Sequence, residues 1–91
     1  MRPSRNQILI EALAVEVKTR RLELGFTQEE LAARSELDRP FVSLIEVGRK
    51  QPSVSSLYAL SRALEFTFGE FAERVEKRYK KHLRIAKASA S

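Results

Sequence analysis

The chain has 91 residues, 43% of them hydrophobic and 32% charged, with no cysteine and a net charge of +5. This size predicts a single domain, 1–91, with a modest core, and the apolar share excludes a disordered chain. The lack of cysteine removes disulfides, thiol catalysis and thiolate metal sites together.

No apolar run approaches the ~18 residues that a membrane-spanning helix needs. The basic start, Met1 to Arg5, is followed only by Ile8-Leu9-Ile10 before Glu11 and Glu16 intervene, so a signal peptide is not expected and the cytoplasm is the expected location. The charge is unevenly spread. Residues 1–73 hold ten Lys/Arg and eleven Asp/Glu, a net −1, whereas residues 74–91 hold seven Lys/Arg and one Glu, a net +6. A polyanionic partner must therefore be argued from local pattern rather than from the total.

In chain order, Leu13, Val17 and Arg21 recur at helical spacing, with Leu9, Ile10 and Ala14 on adjacent rows, predicting a long first helix over 6–24. Ser4 with Gln7 is the expected N-terminal capping box, and Gly25 the stop. Thr27 and Glu30 form a second capping box, opening a short helix to about Arg34 with Leu31 and Ala32 inward. After Ser35-Glu36-Leu37, Asp38 is the expected cap of a third helix, with Pro40 in the first turn where a missing N–H is tolerated. Val42 and Ile45 face inward and Gly48 ends it. Ser53 or Ser55 caps a fourth helix carrying Leu57, Leu60, Ser61 and Leu64 on one face. Thr67 and Glu70 make a third capping box, and Phe68, Phe71, Val75 and Tyr79 stripe a fifth helix. Ala86 to Ser91 reads as a frayed end.

Two short helices joined by about four residues, inside a helical bundle, are what a DNA-reading unit requires. The stretch from Arg20 to Leu64 resembles the phage repressor and Cro type (XRE-type) helix-turn-helix family. The resemblance is carried by Arg21, Gly25 to Ala32, Val42-Ser43, Glu46 to Arg49, Pro52-Ser53 and Leu57. It implies an all-α, five-helix lambda-repressor-like domain with extended first and last helices. The helix-turn-helix core falls at 17–72 and a basic C-terminal helix and tail at 74–91.

The implied activity is sequence-specific binding of double-stranded DNA by a transcriptional regulator, a repressor acting as a homodimer on a palindromic operator through the major groove. Asp38, Arg39, Pro40 and Leu44 are the expected base contacts. Arg39 suits the O6 and N7 of guanine, and Leu44 a thymine methyl. Pro40 and Leu44 depart from the polar residues common in similar proteins, which shifts weight to Arg39 and to DNA shape. Thr27, Gln28, Ser43, Arg49, Lys50, Ser53 and Ser55 are the expected phosphate contacts, helped by free N–H groups at helix starts. For Arg39 the competing roles are a phosphate contact and a surface ion pair with Glu36, and Phe41 is ambiguous, with packing under the turn as one reading. Arg21 and Glu46 are expected to pair between the first and third helices, as in similar proteins. Phe66, Phe68, Phe71, Val75 and Tyr79 are candidates for the dimer interface, or alternatively for the core of the protomer itself.

An enzyme is not expected, because one His (His82), no Cys and three Gly supply no convergent site. Nor does the sequence indicate a cofactor, a metal or a small-molecule ligand. The alternatives that remain are an antitoxin, a restriction-modification controller, or an interaction module using the basic amphipathic helix of Arg74, Lys77, Arg78, Lys80, Lys81, Arg84 and Lys87.

Overall fold

A computed structural model describes residues 5–90 as five helices: α1 (Gln7–Glu23), α2 (Gln28–Ser35), α3 (Arg39–Glu46), α4 (Val54–Ala63) and α5 (Phe68–Ala90). No strand occurs among the described residues, and none of their helices is long and apolar enough to cross a membrane. The cap of α1 differs from expectation. Asn6 is the N-cap, its side-chain oxygen accepting from the Leu9 N–H at 3.1 Å, while Ser4 lies outside the described residues. Gln7 turns its amide to the Gly48 carbonyl at 3.0 Å and to Glu11 at 3.2 Å instead of closing a box. At the other end, α5 runs as one helix to Ala90, so the expected fraying from Ala86 is replaced by continuous helix.

The ends of α1 to α4 close alike. Each has a left-handed residue whose N–H reaches back three residues, followed by a residue whose N–H reaches back five. In α1 these are Gly25 to Leu22 and Phe26 to Arg21; in α3, Gly48 to Ile45 and Arg49 to Leu44. The ends of α2 and α4 use Glu36 (φ 57) and Glu65 (φ 65) for the same bend. A Cβ in that region costs about 1–2 kcal/mol, so the hydrogen bonds and the burial of Leu64 and Phe66 must hold Glu65 there.

The core gathers Leu13 and Val17 of α1, Leu31 and Ala32 of α2, Val42 and Ile45 of α3, Leu60 of α4, Leu64 and Phe66 of the α4–α5 turn, and Phe71 and Val75 of α5. α5 runs antiparallel to α1, since Phe66 stacks with Arg20, Arg74 and Arg78 meet Glu16, and Tyr79 meets Asn6. Glu16 is 1% exposed. Its two oxygens accept from Arg74 Nε at 3.0 Å and Arg78 Nε at 2.6 Å, the pairing that a buried carboxylate requires. Two cations of the basic helix are thus structural. The guanidiniums of Arg20 and Arg74 also lie 4.5 and 5.2 Å from the centre of the Phe66 ring.

The aromatic stripe divides. Phe66, Phe71 and Val75 belong to the core of the protomer, with the Phe66 and Phe71 rings stacked at 6.0 Å. Phe68 stays 37% exposed beside Tyr58, and Tyr79 is half-buried, its hydroxyl accepting from Asn6 Nδ2 at 3.1 Å. Of the five, Phe68 and Tyr79 alone remain open to a second chain.

Arg21 and Glu46 form a bidentate pair, Nε to Oε2 at 2.7 Å and Nη2 to Oε1 at 2.9 Å, with both side chains buried. Arg21 Nη1 also donates to the Phe26 carbonyl at 2.8 Å, so the pair ties α1 to both ends of the helix-turn-helix unit. The bond to Glu46 raises the Arg21 pKa further above its ordinary value. Glu46→Ala is expected to lower unfolding free energy by about 3–5 kcal/mol, because a buried guanidinium is stranded; an unchanged melting temperature would refute this. Glu65→Gly is expected to stabilise by about 0.5–1 kcal/mol, the relieved strain exceeding the added unfolded-state entropy. A melting midpoint that falls would show that the left-handed glutamate carries no strain.

Candidate nucleic-acid interface

α2 opens on a reciprocal box. Thr27 Oγ1 accepts from the Glu30 N–H at 3.0 Å, and Glu30 Oε1 accepts from the Thr27 N–H at 2.9 Å. These bonds hold the Glu30 carboxyl below its usual carboxylate range, the backbone N–H of Thr27 contributing most. The Thr27 hydroxyl keeps its own hydrogen for an outside acceptor. Gln28 is half-buried, and its amide donates to Glu46 Oε1 at 3.1 Å. A carboxamide has two N–H donors. One braces Gln28 on the buried ion pair and the second is left for a ligand.

α3 is turned by its apolar spacing. Val42, Ile45 and Glu46 point inward, which sends Asp38, Arg39, Pro40 and Leu44 outward; Leu44 is 41% exposed. Asp38 occupies the N-cap position with extended backbone, but its side chain makes no capping hydrogen bond. Its carboxylate is therefore left free at the exposed start of the helix. Arg39 Nε lies 3.6 Å from Glu29 Oε1, with both side chains well exposed. The partner is Glu29 on α2, not Glu36, which is held in the left-handed turn after α2. Such a surface pair contributes about 0–1 kcal/mol and is readily exchanged for another acceptor. Ser43 is half-buried on the flank of α3, and Phe41 packs against the core under the turn.

The loop after α3 carries Arg49 and Lys50, both exposed, while their backbone N–H groups donate to the Leu44 carbonyl at 3.0 and 3.2 Å. Their side chains thus project from an anchored loop. Ser53, not Ser55, caps α4: its Oγ accepts from the Ser56 N–H and donates to Ser56 Oγ, both at 3.1 Å. Ser55 is exposed in the first turn. Gln7, and Arg5 at 3.4 Å, also donate to the Gly48 carbonyl, fastening the start of α1 to this loop.

Three contributors escape a reading of the sequence. Glu29 meets Arg39 only because α2 crosses α3, which no spacing encodes. Gln7 looks like a cap residue and works as a brace. Glu16, an acid between Val15 and Val17 on the apolar face of α1, is the one with a legible signal.

The helix-turn-helix family model matches residues 17–71, the span that holds this geometry. The chain is 48% identical over 44 residues to the uncharacterized HTH-type transcriptional regulator y4dJ of Sinorhizobium fredii, covering 48% of this chain and 57% of that protein. It is 39% identical over 59 residues to the uncharacterized HTH-type transcriptional regulator YqaF of Bacillus subtilis, covering 65% and 78%. The match to y4dJ thus spans little more than half of that relative.

Among solved structures, the wild-type restriction-modification controller protein C.Esp1396I is similar with a TM-score of 0.74 at 34% identity, over 80% of this chain and 96% of that one. The same protein as a tetramer in complex with its natural 35 base-pair operator gives 0.75 at 34% identity, over 81% and 97%. The controller C.AhdI from Aeromonas hydrophila gives 0.65 at 29% identity, over 68% and 94%. The chain belongs to the helix-turn-helix family of transcriptional regulators.

Proposed function

We propose that this protein is a sequence-specific repressor that binds a symmetric operator as a homodimer, with α3 in the major groove. One observation carries the reading. The residues facing out of the helix-turn-helix unit (Asp38, Arg39, Pro40 and Leu44 on α3, Thr27 and Gln28 at the start of α2, Arg49 and Lys50 after α3) are all at least partly exposed, and the core side chains of the same helices hold them in place. Arg39 pairs with guanine O6 and N7 after leaving Glu29, and Leu44 meets a thymine methyl. Thr27, Gln28, Ser43, Arg49, Lys50 and Ser55 hold phosphates. Ser53 joins them by redirecting its hydroxyl hydrogen from Ser56.

A single unit of this kind reaches one half-site, and two half-sites about 34 Å apart require two copies. Leu9, Leu57, Phe68 and Tyr79 line an open groove between α1, α4 and α5, an apolar surface suited to a second chain. Repression then needs only occupancy of the operator. The likeness to C.Esp1396I and C.AhdI, each over two thirds or more of this chain, favours a second reading as a restriction-modification controller. A selected operator lying ahead of a methyltransferase or endonuclease gene would decide for it.

Selection of bound duplexes from a random pool is expected to return a two-fold symmetric motif. Arg39→Ala should lose preference at one base pair per half-site and weaken binding by about 5- to 150-fold; uniform weakening on every sequence would reassign Arg39 to phosphate. In sedimentation the wild type is expected to be a dimer at micromolar concentration and Phe68→Glu a monomer. A wild type that stays monomeric at high micromolar concentration would overturn the homodimer.

A further inference from the structure

Two arginines of α5 serve the fold itself: Arg74 and Arg78 are committed to the buried Glu16 carboxylate. Lys77, Lys80, Lys81, Arg84 and Lys87 remain, and four of them, Lys77, Lys80, Arg84 and Lys87, fall at i, i+3, i+7 and i+10, one strip of the helix surface. All four are exposed and none has an ion-pair partner among the described residues. From Lys77 to the last residue the sequence holds six Lys/Arg and no acid. This half of α5 therefore presents concentrated positive charge on a domain that is otherwise close to neutral.

Its position is fixed by contacts. Tyr79 is hydrogen-bonded to Asn6, the next residue Gln7 is bonded to the Gly48 carbonyl, and Gly48 leads into Arg49 and Lys50. Lys77 and Lys80 line, with Gln51 and Pro52 of that loop, the groove proposed above for a second copy, so the strip runs from the edge of that contact toward the end of α5. From Tyr79 to Ala90 the helix adds about 16 Å beyond this junction. We propose that the Lys77, Lys80, Arg84 and Lys87 strip contacts phosphates of the duplex flanking the half-site, extending the surface that begins at Arg49 and Lys50. The proposal rests on the DNA-binding reading above. A membrane surface fits less well, because most of the apolar side of α5 is turned inward: Val75 is buried, Tyr79, Leu83 and Ala86 are half-buried, and Ile85 alone is a large aliphatic side chain exposed in this half of the helix.

The test is a salt titration of the full chain on the selected motif, carried in one duplex with ten flanking base pairs on each side and in another trimmed to the motif. In the variant Lys80→Gln, Arg84→Gln, Lys87→Gln, the slope of log affinity against log salt on the flanked duplex should shrink by about 0.9 for each phosphate no longer neutralised. Affinity at 0.1 M salt should fall at least tenfold, while the trimmed duplex binds both proteins equally and the base preference is unchanged. The charge-preserving variant Lys80→Arg, Arg84→Lys, Lys87→Arg should keep the wild-type slope, and both should keep the wild-type helix content and melting temperature. An unchanged slope in the glutamine variant, with wild type binding the motif normally, overturns the phosphate role and leaves the regulator reading intact. So does loss of wild-type binding to phosphatidylserine vesicles or to a polyglutamate peptide in that variant without a change on DNA. A wild type that binds no duplex overturns both readings.

Discussion

The carboxylate of Glu46 meets three elements at once. It sits on α3, takes both arms of the Arg21 guanidinium from α1, and accepts from the Gln28 amide at the start of α2. Arg21 in turn holds the Phe26 carbonyl at the end of the α1–α2 turn. A guanidinium and a carboxylate taken out of water tolerate little displacement, because each broken hydrogen bond strands a charge. The relative placement of α1, α2 and α3 is therefore set by directional bonds as well as by apolar packing. Gln28 is what links this buried network to the surface, since it is the one of the three residues that is not buried.

The same logic recurs on the other side of α1. Glu16 is buried and takes one hydrogen bond from each of Arg74 and Arg78, so α1 carries one internal ion pair toward α3 and another toward α5. With Phe66 near Arg20 and Arg74, and Asn6 bonded to Tyr79, α5 is fastened along much of its first half. α1 thereby touches both of the surfaces proposed above. Its start holds Gly48, at the root of the Arg49–Lys50 loop, and its length holds α5, which lines the open groove shared with α1 and α4.

Against these ties the outward face of α3 is lightly held. Arg39 has only the exposed Glu29 near it, Asp38 makes no capping bond, and Leu44 is partly bare. A frame locked by buried charge thus carries an outer edge of loosely engaged side chains, which under the proposed function are free to exchange their surface partners for bases.

Helix starts were legible in the residues because capping is local chemistry. Thr27 with Glu30 and Thr67 with Glu70 satisfy their own backbone groups within four residues, and Gly25 and Gly48 mark bends that a Cβ resists. Core positions such as Leu31, Val42, Ile45 and Leu60 followed from helical periodicity for the same reason. The pairing of Arg21 with Glu46 came from family likeness rather than spacing. What the sequence left open depends on which helices cross. Glu36 and Glu65 take left-handed turns that their side chains disfavour, because the adjoining helices are held in place by the core. Phe66, Phe71 and Val75 went to the protomer core and not to an interface because α5 lies against α1. The basic tail illustrates the division most directly. Its charge was countable from composition, but which cations stay free was decided by one buried carboxylate 58 and 62 residues away in sequence.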